Sequence, residues 1–128
     1  MKREEFPSGA PWESIVGYSR AVRAGNQLFV SGTTAVNEEG KVHGNAAMQM
    51  QACIEKIKAV LEKAGGNLTH VVRTRMFVTN IDDWEAIGRV HGEYFGDIRP
   101  ASTMVEVSRL IAPEILVEIE VDAILPES

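Results

Sequence analysis

With 128 residues, the chain has room for a single domain spanning 1–128 around one core, and 45% hydrophobic with 24% charged residues is an ordinary globular composition that excludes wholesale disorder. A net charge of −5 without any basic run argues against a nucleic-acid or anionic-membrane surface, since both need clustered Lys and Arg. The sole cysteine, Cys53, excludes an internal disulfide and Cys-x-x-Cys chemistry, and its place among helical apolar positions reads as a small buried hydrophobe.

Met1-Lys-Arg-Glu-Glu is followed by no apolar h-region and no stretch is long enough to span a bilayer, so a cytoplasmic protein is expected. Residues 19–24 and 27–32 flank Gly25-Asn26, which tolerates positive φ, and predict a β-hairpin. A second turn is expected around Asn37 to Gly40. From Asn45, Met50, Cys53, Ile54, Ile57, Val60 and Leu61 recur at helical spacing, and Gly65-Gly66 ends that helix. Residues 71–78 alternate as a strand with Val72, Thr74, Met76 and Val78 on one face and Arg73, Arg75 and Phe77 on the other. Asn80 or Asp82 is expected to cap a second helix that carries Trp84, Ile87, Val90, His91 and Tyr94 on one side and stops near Gly96. Strands 102–108 and 115–124 complete a β-β-α-β-α-β-β order, which predicts an α+β sandwich with helices on one face of a sheet.

In the last strand Ile115, Val117, Ile119, Val121 and Ala123 suit a face buried under helices, while Leu116, Glu118, Glu120, Asp122 and Ile124 mix acids with large apolar groups. Arg73, Arg75 and Phe77 join that second face, and the chain is too short to cover it. A partner subunit is the expected cover, with Arg73 and Arg75 pairing Glu118, Glu120 or Asp122.

Five segments carry a resemblance: Val16-Gly-Tyr-Ser-Arg-Ala-Val, Leu28-Phe-Val-Ser-Gly-Thr, Val72-Arg-Thr-Arg-Met-Phe-Val, Arg99-Pro-Ala-Ser-Thr-Met-Val-Glu-Val and Val117-Glu-Ile-Glu-Val-Asp-Ala. In order and spacing they resemble the Rid (YjgF) family of reactive-intermediate deaminases over nearly the whole chain. The resemblance implies a chorismate-mutase-like fold, a homotrimer with a central barrel, clefts between neighbouring subunits, and no metal or organic cofactor. It also implies that a cleft arginine holds the carboxylate of a 2-imino acid or its enamine tautomer while a glutamate positions the attacking water. On that basis Glu118 matches the water-orienting glutamate, and Tyr18, Ser31, Gly32, Thr103 and Met104 match cleft-lining positions, with Trp84 and His91 as walls from the second helix. Ser102 stands where the deaminases have arginine, Met104 where many have cysteine, and Gly88 where they have asparagine.

A guanidinium–carboxylate contact contributes about 1.5–3 kcal/mol, and serine has neither the charge nor the fork, so a carboxylate ligand is expected to bind about ten- to a hundredfold more weakly. Arg20 and Arg99 are candidate substitute cations. His43, His70 and His91 are too scattered for a metal site, and Gly-x-Ser-x-Gly, P-loop and Gly-x-Gly-x-x-Gly patterns are missing. Glu118 and Glu120 on one strand face read as an ion-pair ladder rather than a glycosidase dyad. The expectation is therefore a homotrimer that binds a small metabolite and hydrolyses an imine, enamine or related C=N compound, with ordinary 2-imino acid deamination doubtful. The alternative is a binding or regulatory module without turnover. A third reading, endoribonuclease or translation inhibitor, has been attached to some Rid proteins, but this chain has neither a basic groove nor spaced stacking aromatics.

Overall fold

The computed structural model describes residues 2–126. In chain order the elements are β1 (Arg3–Phe6), α1 (Pro11–Val16), β2 (Ala21–Ala24), β3 (Gln27–Thr33), α2 (Ala46–Lys63), β4 (Val71–Val78), α3 (Trp84–Phe95), β5 (Ala101–Glu106) and β6 (Val117–Ile124), with short 3-10 turns at Leu68–His70 and Ile81–Asp83. They form one six-stranded sheet in the order β1-β2-β3-β6-β4-β5. All neighbouring strands are antiparallel except β4 and β5, which α3 connects in parallel.

The local causes are readable. Gly25 turns the β2–β3 hairpin at φ 64°, in the left-handed region that favours glycine. Asn45 caps α2 by accepting from the Met48 N–H at 2.9 Å, and Gly65 ends that helix at φ 91°. The α2 stripe of Met50, Cys53, Ile54, Ile57 and Leu61 is buried against β6 and β3, where Val117, Ile119, Val121 and Ala123 supply the facing layer. Burial pushes the Cys53 thiol up to about 12, which suits a packing residue rather than a nucleophile.

Gln49 ties this core to the loop before β6. Its side chain is buried, donates to the carbonyls of Gly44 and Glu114 at 3.0 Å each, and accepts from the Leu116 N–H at 2.9 Å. Gln49→Ala strands those buried groups and is expected to cost about 2–4 kcal/mol, read as a lower midpoint in chemical denaturation. An unchanged midpoint would mean that water replaces the amide without loss.

Several expectations need correction. The charged segment Arg3–Phe6 pairs with β2 as an edge strand, and α1 forms without burying any residue, so neither shows a hydrophobic pattern. A register irregularity between Val71 and Arg73 turns Val72 outward: Val71 is 2% exposed and Val72 45%. Asn80 caps the 3-10 turn rather than α3, which begins at Trp84 after Asp83 with no side-chain cap. Trp84, at that first position, is 58% exposed and lies outside the core. The last two strands also begin or end a few residues away from expectation, β5 stopping at Glu106 and β6 starting at Val117.

The face of the sheet opposite the helices leaves Phe29, Val105 and Ile124 exposed beside Glu120 and Asp122. No described helix is long and apolar enough to cross a membrane.

Candidate functional site

Glu118 lies on β6 opposite Phe77 of β4, on the face away from the helices. The expected ion-pair ladder on this face is built without it. Arg75 Nη1 stands 3.3 Å from Asp122 Oδ2 and 3.7 Å from Glu120 Oε1. Among the described residues no cation pairs with Glu118, and Arg73 forms no ion pair. Burial raises the Glu118 carboxyl above the usual glutamate range, aided by nearby Glu120 and opposed by Arg20. A carboxylate held in this way is a better proton acceptor than a paired one.

Gly32 makes the place for it. β3 carries an irregularity between Val30 and Thr33, which brings the Gly32 backbone against the Glu118 side chain. A Cβ added at Gly32 would collide with Glu118 Oε2 and lie 3.0 Å from Cδ. Arg20 holds the same glycine: Nη2 donates to the Gly32 carbonyl at 2.5 Å, while its buried Nε has no protein partner among the described residues. Arg20 is thus a half-buried structural neighbour of Glu118 rather than a solvated surface arginine. Gly32, Glu118, Glu120 and Phe77 line an open cavity of about 340 Å³ together with Val107, Arg109 and Leu110. Those last three residues come from the loop after β5, which no periodicity or spacing singles out.

Tyr18 and Ser31 border a different cavity, of about 360 Å³, with Arg3, Glu5 and Glu13. The Ser31 hydroxyl donates to the Ser19 carbonyl at 2.7 Å, so it keeps only acceptor capacity. Ser102 is set apart from both. It sits on edge strand β5 opposite Thr74 of β4, and Thr74 Oγ1 lies 2.8 Å from Ser102 Oγ and 2.9 Å from His91 Nε2 on α3. Burial lowers the His91 pKa, favouring the neutral imidazole, and its ring packs on Phe95 at 4.6 Å between centroids. Met104 packs against the core beside Met76, whereas Thr103 is exposed opposite Arg75. At Gly88, one turn before His91, an added Cβ would meet no atom within 4 Å. Arg99 adopts φ 57° and its Nε donates to the Gly96 carbonyl at 2.9 Å, which ties it to the end of α3.

One chain therefore holds the candidates in three places: Gly32 and Glu118 around β3 and β6, Tyr18 and Ser31 at a separate cavity, and Ser102, Thr74 and His91 at the β5 edge under α3. Among the described residues no three His, Cys, Asp or Glu side chains stand together as a metal site requires.

Comparison with known proteins agrees with this architecture. Residues 9–125 match the family described as Endoribonuclease L-PSP. A RutC family protein of Pyrococcus horikoshii is 38% identical over 122 residues, covering 94% of this chain and 95% of the relative. The 3-aminoacrylate deaminase RutC of Acinetobacter baylyi is 38% identical over 116 residues, covering 89% of this chain and 90% of the enzyme. A Mycobacterium tuberculosis structure, described as a member of the highly conserved YjgF/YER057c/UK114 family, matches with a TM-score of 0.89 and 46% identity over 97% of this chain and 100% of its own. A conserved Rid-family protein of Yersinia pestis matches with a TM-score of 0.84 and 32% identity over 97% of this chain and 100% of its own. With the match spanning nearly the whole chain and these neighbours sharing its fold, the chain belongs to the Rid (YjgF) family, which also carries the Endoribonuclease L-PSP description.

Proposed function

We propose that the protein binds a small metabolite in clefts between its own copies in a cytoplasmic homotrimer, and hydrolyses an imine, enamine or related C=N compound there with no cofactor. The observation that carries this reading is Glu118: a half-buried carboxylate kept out of the ion-pair ladder, aimed at a glycine backbone and lining an open cavity. In the step it supports, Glu118 accepts a proton from water as the oxygen attacks the imine carbon and the C=N electron pair moves to nitrogen. The proton then passes to that nitrogen to give a carbinolamine; Glu118 next takes the hydroxyl proton and returns it to the amino nitrogen, so that the C–N bond breaks, the C=O bond forms and ammonia leaves a carbonyl product. An enamine enters after tautomerising. The resemblance to a 3-aminoacrylate deaminase supports the same reaction class.

The trimer is supported by the uncovered, half-apolar sheet face. It would bring Glu118 and Gly32 of one copy, with Tyr18 and Ser31 at the neighbouring cavity, towards the Ser102 edge of the next. Ser102 argues against a carboxylate as the anchored group, so ordinary 2-imino acids are poor substrates in this reading. The same substitution favours the second reading, a binding or regulatory module on this cleft with no turnover.

Ammonia release from 2-imino acids generated in situ by an amino-acid oxidase tests the assignment. The expected rate is at least about tenfold below that of arginine-bearing relatives, and Ser102→Arg is expected to tighten binding of small carboxylates by about ten- to a hundredfold. A wild-type rate equal to those relatives would show that the arginine is dispensable. No gain from Ser102→Arg would show that position 102 does not face the ligand.

A further inference from the structure

Thr74 is fully buried, at 0% exposure, in a strand face otherwise made of Val71, Met76 and Val78. Valine would fill the same volume without a hydroxyl to satisfy, and burying an unpartnered hydroxyl is costly. This hydroxyl has two partners, His91 Nε2 at 2.9 Å and Ser102 Oγ at 2.8 Å, and Ser102 at the far end is exposed on the edge strand. The parallel pairing of β4 with β5 places Thr74 beside Ser102, and α3 lays His91 over them. The row thus runs from a half-buried imidazole to the position at which the deaminases carry arginine.

We propose that Thr74 and His91 are positioning residues for Ser102, and that the row recognises an uncharged amide of the ligand where an arginine would take a carboxylate. The inference rests on the reading of Ser102 as ligand-facing. Each hydroxyl has one proton to donate, so the row has a direction. With the imidazole proton on Nδ1, Nε2 accepts from Thr74, Thr74 accepts from Ser102, and Ser102 presents lone pairs outward to a ligand N–H. With the proton on Nε2 the order reverses: Nε2 donates to Thr74, Thr74 donates to Ser102, as the structure has it, and Ser102 donates outward to a ligand carbonyl. A primary amide carries N–H and C=O side by side and fits either direction by rotation. A carboxylate fits only the second, where one charge-assisted contact from a neutral hydroxyl has no cation beside it to offset the desolvation of the charge. The lowered pKa of His91 is consistent with a row that stays neutral.

The test uses the full chain, with pyruvamide and pyruvate as calorimetric probes and 15N resonances of the His91 ring as a probe-free readout. Wild type is expected to bind pyruvamide at least about fivefold more tightly than pyruvate. Thr74→Val is expected to weaken pyruvamide binding by about fivefold to tenfold, with Thr74→Ser restoring it. Both Ser102→Ala and Thr74→Val are expected to move the His91 Nε2 resonance with no probe present. Unmoved His91 resonances in both variants would overturn the row. A shifted resonance with pyruvate bound as tightly as pyruvamide, or with neither bound, would overturn the amide assignment. Ammonia release is scored separately, so C=N hydrolysis can stand when this proposal falls, and the reverse.

Discussion

Glu118→Gln is expected to lower turnover of a C=N substrate by about 10²–10⁴-fold while leaving substrate binding nearly unchanged, because glutamine keeps the shape and the acceptor oxygen but cannot take the water proton. Steady-state ammonia release at saturating substrate reads the loss. A rise in KM with kcat unchanged would make Glu118 a binding group rather than a base. The pH profile carries the same signature. Burial, as the largest cause, raises the Glu118 pKa, and the working form is the carboxylate, so activity should fall on the acid side at a pH above the ordinary glutamate range.

The effect on stability has the opposite sign. A raised folded-state pKa means that the folded protein binds this proton more tightly than the unfolded chain does. The associated stability is fully present below the unfolded-state value and is lost as pH rises through the folded-state value. At neutral pH wild type therefore holds a desolvated charge that glutamine lacks, and Glu118→Gln should melt at a higher temperature than wild type. Such an exchange of stability for activity is characteristic of a functional carboxylate.

Gly32→Ala is the second large effect. The collision falls on Glu118 Oε2, the mobile end of a long side chain, so the carboxylate can swing aside. Turnover should drop by about the same 10²–10⁴-fold as removal of the base, with a stability change within about 1 kcal/mol. Because both substitutions disable one group, Gly32→Ala combined with Glu118→Gln should be no worse than either alone. Losses that multiply in the double variant would mean that Gly32 serves the site in some way other than making room for Glu118.

Much of this architecture is legible in the sequence where periodicity is strong. The alternation of Val117, Ile119, Val121 and Ala123 and the α2 stripe from Met50 to Leu61 each point to a single buried face, and the structure buries both. What escapes is what periodicity does not encode. Arg3–Phe6 is nearly all charged and becomes a strand only because β2 offers a free edge, and α1 has no apolar stripe to signal it. The displacement of Val72 depends on an irregularity within a pairing that no local pattern announces.

The candidate site divides in the same way. Arginines facing acids across β4 and β6 were legible as a ladder, but that Arg75 serves Glu120 and Asp122 and leaves Glu118 free depends on side-chain reach. Ser102 stood out by resemblance. Thr74 stood out by nothing, since a threonine in an alternating strand reads as one more β-branched residue until β5 is laid beside it. Arg109 likewise enters the cavity only when the loop after β5 folds over it.

The Glu118 cavity and the Ser102 edge make one cleft only if copies of the chain come together, because a single copy keeps Glu118 and Ser102 apart and leaves the outer sheet face uncovered. Sedimentation equilibrium at micromolar concentration tests this most directly. The account predicts the mass of three chains of 14.0 kDa each. A single-chain mass at that concentration would contradict it and would leave Glu118 without the Ser102 edge.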